Sequence, residues 1–103
     1  MAKNTKEQEY IDDLEARVGR FYTETKRNLR FNARGECGEI DFMGRAANNG
    51  WHVYEIKATG HPRALQRARK QLERAKRCLP YQVSDLFIYI GSCQELIPYG
   101  GQK

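Results

Sequence analysis

The chain has 103 residues, of which 40% are hydrophobic and 30% are charged, enough for a single domain over residues 1–103. No stretch comes near the roughly 18 uninterrupted apolar residues of a membrane span, so the sequence predicts a soluble protein with no membrane partner. The net charge of +5 suits a polyanionic partner, and three widely spaced cysteines favour reduced thiols in a cytoplasmic protein.

The first half of the chain predicts one helix and three strands. Apolar side chains recur every three or four residues from Thr5 to about Arg20, as in an amphipathic helix buried on one face. That stripe contains Tyr10, Ile11, Leu14, Val18 and Phe21. The alternating pattern from Lys26 to Ala33 predicts a strand buried on one side. Segments 39–45 and 51–57 are predicted as a hairpin, since a run rich in turn-forming residues separates them.

The second half predicts a basic helix followed by a buried strand. The helix is expected to begin at Pro62 and to end before Pro80. Its apolar stripe faces away from five basic residues: Arg63, Arg67, Lys70, Arg74 and Arg77. The apolar run in 84–91 predicts a central strand, and a short edge strand follows around 95–99. The order α, β, β, β, α, β predicts an antiparallel meander, a crossover helix and a strand parallel to a neighbour.

Charged residues interrupt the predicted hairpin. Asp41 lies within its first strand, and its second strand closes with Glu55 and Lys57, which point to one side about 6.6 Å apart. A two-residue turn at Asn49-Gly50 would direct Asp41 to the other face of the sheet. A three-residue loop at 47–49, or a bulge, would place Asp41 opposite Glu55. A site that uses both carboxylates therefore predicts the loop with an odd number of residues.

Two carboxylates and an amine at one spot suit the hydrolysis of a phosphodiester. Mg²⁺ is usually held by one or two carboxylates, keeps several waters, and can polarise a phosphoryl oxygen while activating a water. A neighbouring ammonium such as that of Lys57 can orient the nucleophile or stabilise developing charge. The simpler alternative for Glu55 and Lys57 is an exposed charge pair on a strand.

The motif formed by Gly38-Glu39-Ile40-Asp41, a 13-residue gap and Glu55-Ile56-Lys57 resembles the PD-(D/E)XK nuclease superfamily. It is similar in particular to archaeal and viral Holliday junction resolvases and to small nuclease-like proteins that carry a Gly-Glu-Ile-Asp motif. The resemblance covers about residues 7–91, with Ile40 where the name-giving pattern has Pro. It implies a restriction-endonuclease-like α/β fold, that is, an αβββαβ core whose mixed central sheet is flanked by helices.

The resemblance also implies roles for the residues of the motif. Asp41 and Glu55 would bind Mg²⁺, or Mn²⁺ in its place. The main-chain carbonyl of Ile56 would add a ligand. Lys57 would assist the attacking water.

Members of the superfamily often add a glutamate from the first helix and a glutamine from the crossover helix. Two candidates remain open for the glutamate: Glu7, on the buried stripe, and Glu15, at its flank. For the glutamine, Gln71 lies beside the apolar stripe and is preferred to Gln66, which points outward.

The function implied by the resemblance is that of a Mg²⁺-dependent, structure-selective DNA endonuclease, a hydrolase of recombination and repair. Holliday junction resolution is favoured, and the near two-fold symmetry of a junction then predicts a homodimer. For a viral protein the location would be the host cytoplasm. The alternatives are a nuclease of another branch that processes flaps or nicks, and a non-catalytic basic nucleic-acid-binding module.

Contacts with nucleic acid are predicted for basic residues near the motif and on the flanks of the basic helix. These are Arg27, Arg30, Arg34, Arg69 and Lys76. Whether the outer face of that helix contacts DNA or is simply solvated stays open. The aromatic residues Tyr10, Phe21, Trp51 and Phe87 are interpreted as core residues rather than as platforms for base stacking. Neither His52 nor His61 has the spacing of a zinc site with any cysteine.

Overall fold

The structure is a computed structural model that describes residues 5–33 and 35–99, and it shows a mixed α/β fold. Its first half comprises helix α1 (Thr5–Val18), a 3-10 turn (Gly19–Phe21) and strands β1 (Glu24–Ala33), β2 (Glu36–Arg45) and β3 (Trp51–Lys57). Its second half comprises helix α2 (Pro62–Cys78) and strands β4 (Val83–Ile90) and β5 (Glu95–Tyr99). Within the described ranges, no helix combines the length and apolar character that crossing a bilayer would take.

The five strands form one mixed sheet in the order β1-β2-β3-β4-β5. All neighbours are antiparallel except β3 and β4, which are parallel because α2 crosses over between them. The predicted meander, crossover helix and parallel strand are thereby confirmed. The predicted bounds of β3 and β5 match the structure, whereas β1 begins two residues earlier than predicted and β2 three residues earlier.

Each face of the sheet buries its own apolar cluster. Helix α2 covers one face, where its residues pack against those of the strands: Ala68, Leu72 and Ala75 with Ile40, Met43, Val53 and Ile88. Helix α1 covers the other face: Ile11, Leu14 and Val18 with Phe42, Tyr54, Ile56 and Tyr89. The sheet is thus a central layer between two helices, as expected for an α/β fold.

Phe21 departs from the stripe predicted for the first helix. The α-helix ends at Val18 and the chain tightens into a 3-10 turn, which has three residues per turn and so changes the direction of the side chain. Phe21 is 64% exposed, so its prediction as a core residue is wrong. Among the other aromatic residues, Trp51 is buried, and Tyr10 and Phe87 are partly buried against the α1 cluster.

The loop between β2 and β3 has the predicted odd length. The Ala46 N–H donates a hydrogen bond to the carbonyl of Gly50 at 2.8 Å, which leaves the three residues 47–49 in the loop. The pairs of β2 and β3 keep one register up to this loop. The ladder ends at the pair Phe42 and Tyr54, which are the chain neighbours of Asp41 and Glu55.

Gly91 permits a close approach between the end of β4 and helix α1. It is buried, and a Cβ atom added there would lie 2.3 Å from Cγ of Tyr10. We expect Gly91→Ala to lower the free energy of unfolding by roughly 1–3 kcal/mol, because the ring must move within a packed cluster. Unfolding in urea measures this change. Gly19→Ala is the control, since a Cβ there meets only Cγ of Glu15, at 3.4 Å. Equal midpoints for the two variants would contradict the prediction.

Candidate active site

Asp41 lies where β2 departs from regular strand geometry. The paired ladder with β3 ends one residue after it, and the Ile56 N–H donates a hydrogen bond to Oδ2 of Asp41 at 2.9 Å. Ile40 and Met43 both join the α2 cluster, although residues three apart point to opposite faces of a regular strand. The strand therefore turns over at Asp41, which directs the buried carboxylate toward the main chain of β3.

Strand β1 has a matching irregularity. The β1–β2 register is constant on both sides of Asn28, which stands opposite Asp41 and has a φ of 50°. This left-handed conformation is unfavourable for most residues with a side chain, and Asn tolerates it better than most. The alternating sequence pattern predicts regular strands here. An Asn inside an alternating strand was the available signal for the distortion that shapes the site.

Glu55 is a buried carboxylate whose charge has little to stabilise it. It is 7% exposed, and its Oε1 has no hydrogen-bond partner within the described part of the chain. Oε2 lies 3.8 Å from Nζ of Lys57. Burial, reinforced by the charge of Asp41, raises the pKa of Glu55 to about 8, although Lys57 acts in the opposite direction. The simpler alternative, an exposed charge pair, is therefore wrong for Glu55.

The structure distinguishes the two candidate glutamates of α1. Glu7 lines a cavity of about 250 Å³ together with Lys57, and its charge contributes to the raised pKa of Glu55. Glu15 instead accepts a hydrogen bond from Nε of Arg27 at 2.9 Å. Glu7 is therefore the glutamate that α1 places near the carboxylate pair.

Gln71 reaches the strand that carries Asp41. Its Nε2 donates a hydrogen bond to the main-chain carbonyl of Glu39 at 2.8 Å, and its Oε1 accepts one from Nη1 of Arg74 at 3.1 Å. Gln66 is exposed, as predicted. Gln71 thus binds the main chain of β2 two residues before Asp41, which is a positioning contact.

Arg27 differs from the expectation of a cation available to DNA. Its Nη2 lies 2.6 Å from Oδ1 of Asp12, and its Nε lies 2.9 Å from Oε1 of Glu15. The guanidinium therefore joins β1 to α1 through two carboxylates, and its contact with nucleic acid stays a prediction.

The other basic residues predicted to contact nucleic acid are dispersed. The guanidinium carbon of Arg69 lies 5.8 Å from the ring centroid of Tyr99, on the edge strand β5. Arg30 on β1 and Lys76 on α2 are exposed. Arg34 lies outside the described residues. The described members of this set therefore lie on two different elements, β1 and α2.

Helix α2 carries two kinds of basic side chain. Arg74 and Arg77 lie 3.5 and 2.7 Å from Oε1 of Glu36 on β2, so they are not the simply outward charges of the predicted face. Five exposed basic residues of α2 form no ion pair with any residue in 5–33 or 35–99: Arg63, Arg67, Arg69, Lys70 and Lys76. The outer face of α2 therefore keeps uncompensated positive charge.

The two histidines take other roles. His61 caps α2, its Nδ1 accepting a hydrogen bond from the Arg63 N–H at 3.4 Å. His52 lies between Asp85, 3.1 Å from its Nε2, and the hydroxyl of Tyr22, 2.8 Å from its Nδ1. Among the described residues, no three or more His, Cys, Asp or Glu side chains are grouped so as to hold a metal ion.

The carboxylate pair nevertheless fits a cation that retains most of its water. Mg²⁺ is commonly bound through only one or two carboxylates, and the buried Oε1 of Glu55 is an acceptor to which no described residue donates. Asp41, Glu55 and the main chain of Ile56 meet at one place between β2 and β3. No family model matches the chain, and no curated protein is significantly similar to it. The chemistry of the site must be inferred from its own residues.

Proposed function

We propose that the protein is a metal-dependent, structure-selective DNA endonuclease with a restriction-endonuclease-like fold, acting on branched DNA such as a Holliday junction. The observation that carries this proposal is the pair of buried carboxylates, Asp41 and Glu55, beside the ammonium group of Lys57. Burying acids is costly, and a protein that only binds nucleic acid would gain nothing from acids where a phosphate approaches. A catalytic site explains that cost.

Each residue of the site has a chemical task in this proposal. Asp41, Glu55 and the carbonyl of Ile56 would hold Mg²⁺, or Mn²⁺ in its place. The ion, when bound, would polarise a phosphoryl oxygen and lower the pKa of a water for attack on phosphorus. The side chain of Lys57 is 27% exposed, so its ammonium can donate to the phosphate or the water. Glu7 lines the adjoining cavity, where it can orient a water or accept a proton.

Binding to DNA is supported by the uncompensated charges of α2. This helix begins at Pro62, five residues after Lys57, so its exposed basic face starts close to the site. Positive charges that no carboxylate balances are available to phosphates, and each contact formed releases counterions from the DNA.

The two kinds of basic residue on α2 should respond differently to neutralisation. We expect Arg67→Gln combined with Lys70→Gln to weaken junction binding and to reduce the slope of log K against log salt by about 2, near 0.9 per lost phosphate contact. Arg74→Gln combined with Arg77→Gln should change the slope less, because Glu36 holds both guanidinium groups and offsets one of their two charges. Fluorescence anisotropy at several salt concentrations measures both slopes. Equal changes of slope in the two double variants would contradict the distinction between paired and unpaired basic residues on α2.

The substrate is tested by incubating the purified protein and Mg²⁺ with a four-way junction, a flap and a linear duplex in parallel. Paired symmetric cuts in the junction alone would support a resolvase, and a homodimer with two-fold symmetry would explain the pairing. Cutting of the flap alone would favour another branch of nucleases. Binding without cleavage of any substrate would favour the non-catalytic module.

A further inference from the structure

A surface at the C-terminal end of α1 has no role in the proposed catalysis. Phe21, 64% exposed, borders a cavity of about 490 Å³ that α1 and the 3-10 turn form with Tyr89 and Leu96. The chain advances 14 residues from Glu7 to Phe21, the last three in the 3-10 turn, which at 1.5 to 2.0 Å per residue corresponds to about 20 Å. This surface is therefore separate from the carboxylate pair.

Two arginines flank the exposed ring. The guanidinium carbon of Arg20 lies 5.1 Å from the ring centroid of Phe21, and Nη1 of Arg17 donates a hydrogen bond to the carbonyl of Gln94 at 2.9 Å. Neither guanidinium forms an ion pair with a residue that the structure describes, whereas that of Arg27 is bound by two carboxylates. A helix C-terminus favours a cation, which accounts for one arginine but not for an exposed aromatic ring.

The cavity also contains an unsatisfied polar group. Tyr89 is fully buried and lines the cavity, and its hydroxyl has no hydrogen-bond partner in the described part of the chain. The guanidinium carbon of Arg17 lies 5.8 Å from the centroid of the Tyr89 ring, so a positive charge adjoins the ring of a residue that lines the cavity.

We propose that Phe21, Arg17 and Arg20 bind an unpaired nucleotide, whose base stacks on the ring while its phosphate lies between the two guanidinium groups. An unpaired nucleotide combines an exposed aromatic face with an anion, and stacking on aromatic side chains is how proteins hold single strands irrespective of sequence. A duplex offers the anion without a free base face, and an apolar peptide offers no anion. The inference takes its ligand class from the proposed function, since branched DNA has unpaired or unstacked bases at its branch point.

The test measures binding in EDTA, so that cleavage plays no part. The probes are a fluorescein-labelled 15-nucleotide poly-dT strand and a duplex of the same length. We expect Phe21→Ala to weaken binding of the single strand about tenfold, the effect of losing one stacked base, with little change for the duplex. Phe21→Leu, which keeps an apolar side chain without a ring, should weaken it nearly as much, whereas Phe21→Trp should bind like the native protein.

Phe21→Trp also provides a direct signal of stacking. Its tryptophan fluorescence should be quenched by the single strand, while Trp51 is buried and contributes a constant background. Native binding by Phe21→Leu, or equal losses for single strand and duplex, would overturn the proposal. The proposal would also be overturned if Phe21→Ala sedimented as a monomer, the native protein sedimented as a dimer, and both bound the single strand equally. Phe21 would then be a contact between two copies of the chain. Stacking at Phe21 in a protein that cleaves no DNA would support this inference while contradicting the proposed nuclease.

Discussion

Replacing Asp41 by Asn, or Glu55 by Gln, is expected to reduce Mg²⁺-dependent cleavage of a junction by at least about 10²-fold. Both side chains are almost fully buried, so an amide of the same size preserves packing while removing the charge that would hold the cation. Asn at position 41 also keeps an oxygen for the Ile56 N–H. Single-turnover cleavage of a labelled junction measures the loss, and anisotropy in EDTA should show junction binding within about twofold of native.

Glu15→Gln is the matched control for these variants. It removes an α1 carboxylate that pairs with Arg27 and lies outside the proposed site, so cleavage should stay close to native. Glu7→Gln should give an intermediate loss, because Glu7 lines the cavity next to Lys57. Native cleavage rates in both the Asp41 and the Glu55 variant would exclude this site as the catalytic centre.

In the absence of metal, the protein should lose stability as the pH rises from about 4.5 to about 8. Burial and the neighbouring Asp41 raise the pKa of Glu55 from 4.5 to about 8, so folded Glu55 keeps a proton that the unfolded chain releases. Because the folded state binds more protons in this window, the free energy of unfolding falls with rising pH, by up to about 1.4 kcal/mol per unit. This contribution is complete below pH 4.5 and is lost above about pH 8.

Glu55→Gln should remove that contribution, because an amide does not titrate. Urea unfolding of the native and variant proteins, in EDTA at several pH values across the window, gives the difference that belongs to Glu55. Every other ionisable group is present in both proteins, so the comparison isolates Glu55. Added Mg²⁺ should flatten the native slope, since a bound cation favours the charged carboxylate. The prediction would be contradicted if the free energies of unfolding of the native and Glu55→Gln proteins changed equally with pH in EDTA.

Most of the fold follows from local patterns in the sequence. The apolar period of α2 and the prolines at 62 and 80 delimit that helix, and the run of apolar residues identifies β4 as a covered strand. The register of β2 and β3 was predicted from the chemistry of the site and not from the turn propensities of the residues between the strands. Requiring Asp41 and Glu55 to meet excluded a two-residue turn, and the structure has a three-residue loop.

Features that depend on contacts distant in sequence could not be predicted in this way. The partners of Arg27 lie 12 and 15 residues away on another element, and nothing local to Arg27 indicates them. The bend at Asp41 involves two strands at once. Phe21 is exposed because the helix changes from 3.6 to 3.0 residues per turn after Val18. An apolar pattern with a period of 3.6 residues does not indicate where such a change occurs.

The hydrogen bond from Ile56 to Asp41 gives the two carboxylates unequal evolutionary constraints. Selection for folding alone would keep an oxygen acceptor at position 41, because without it a buried N–H would lose its partner. Oε1 of Glu55 accepts no hydrogen bond from the residues that the structure describes, so folding gives no reason to keep a buried acid there, whereas the proposed activity does. Among descendants of this chain, the residue at 55 would be the first to record a loss of catalysis, while an Asp or Asn at 41 could persist in inactive copies.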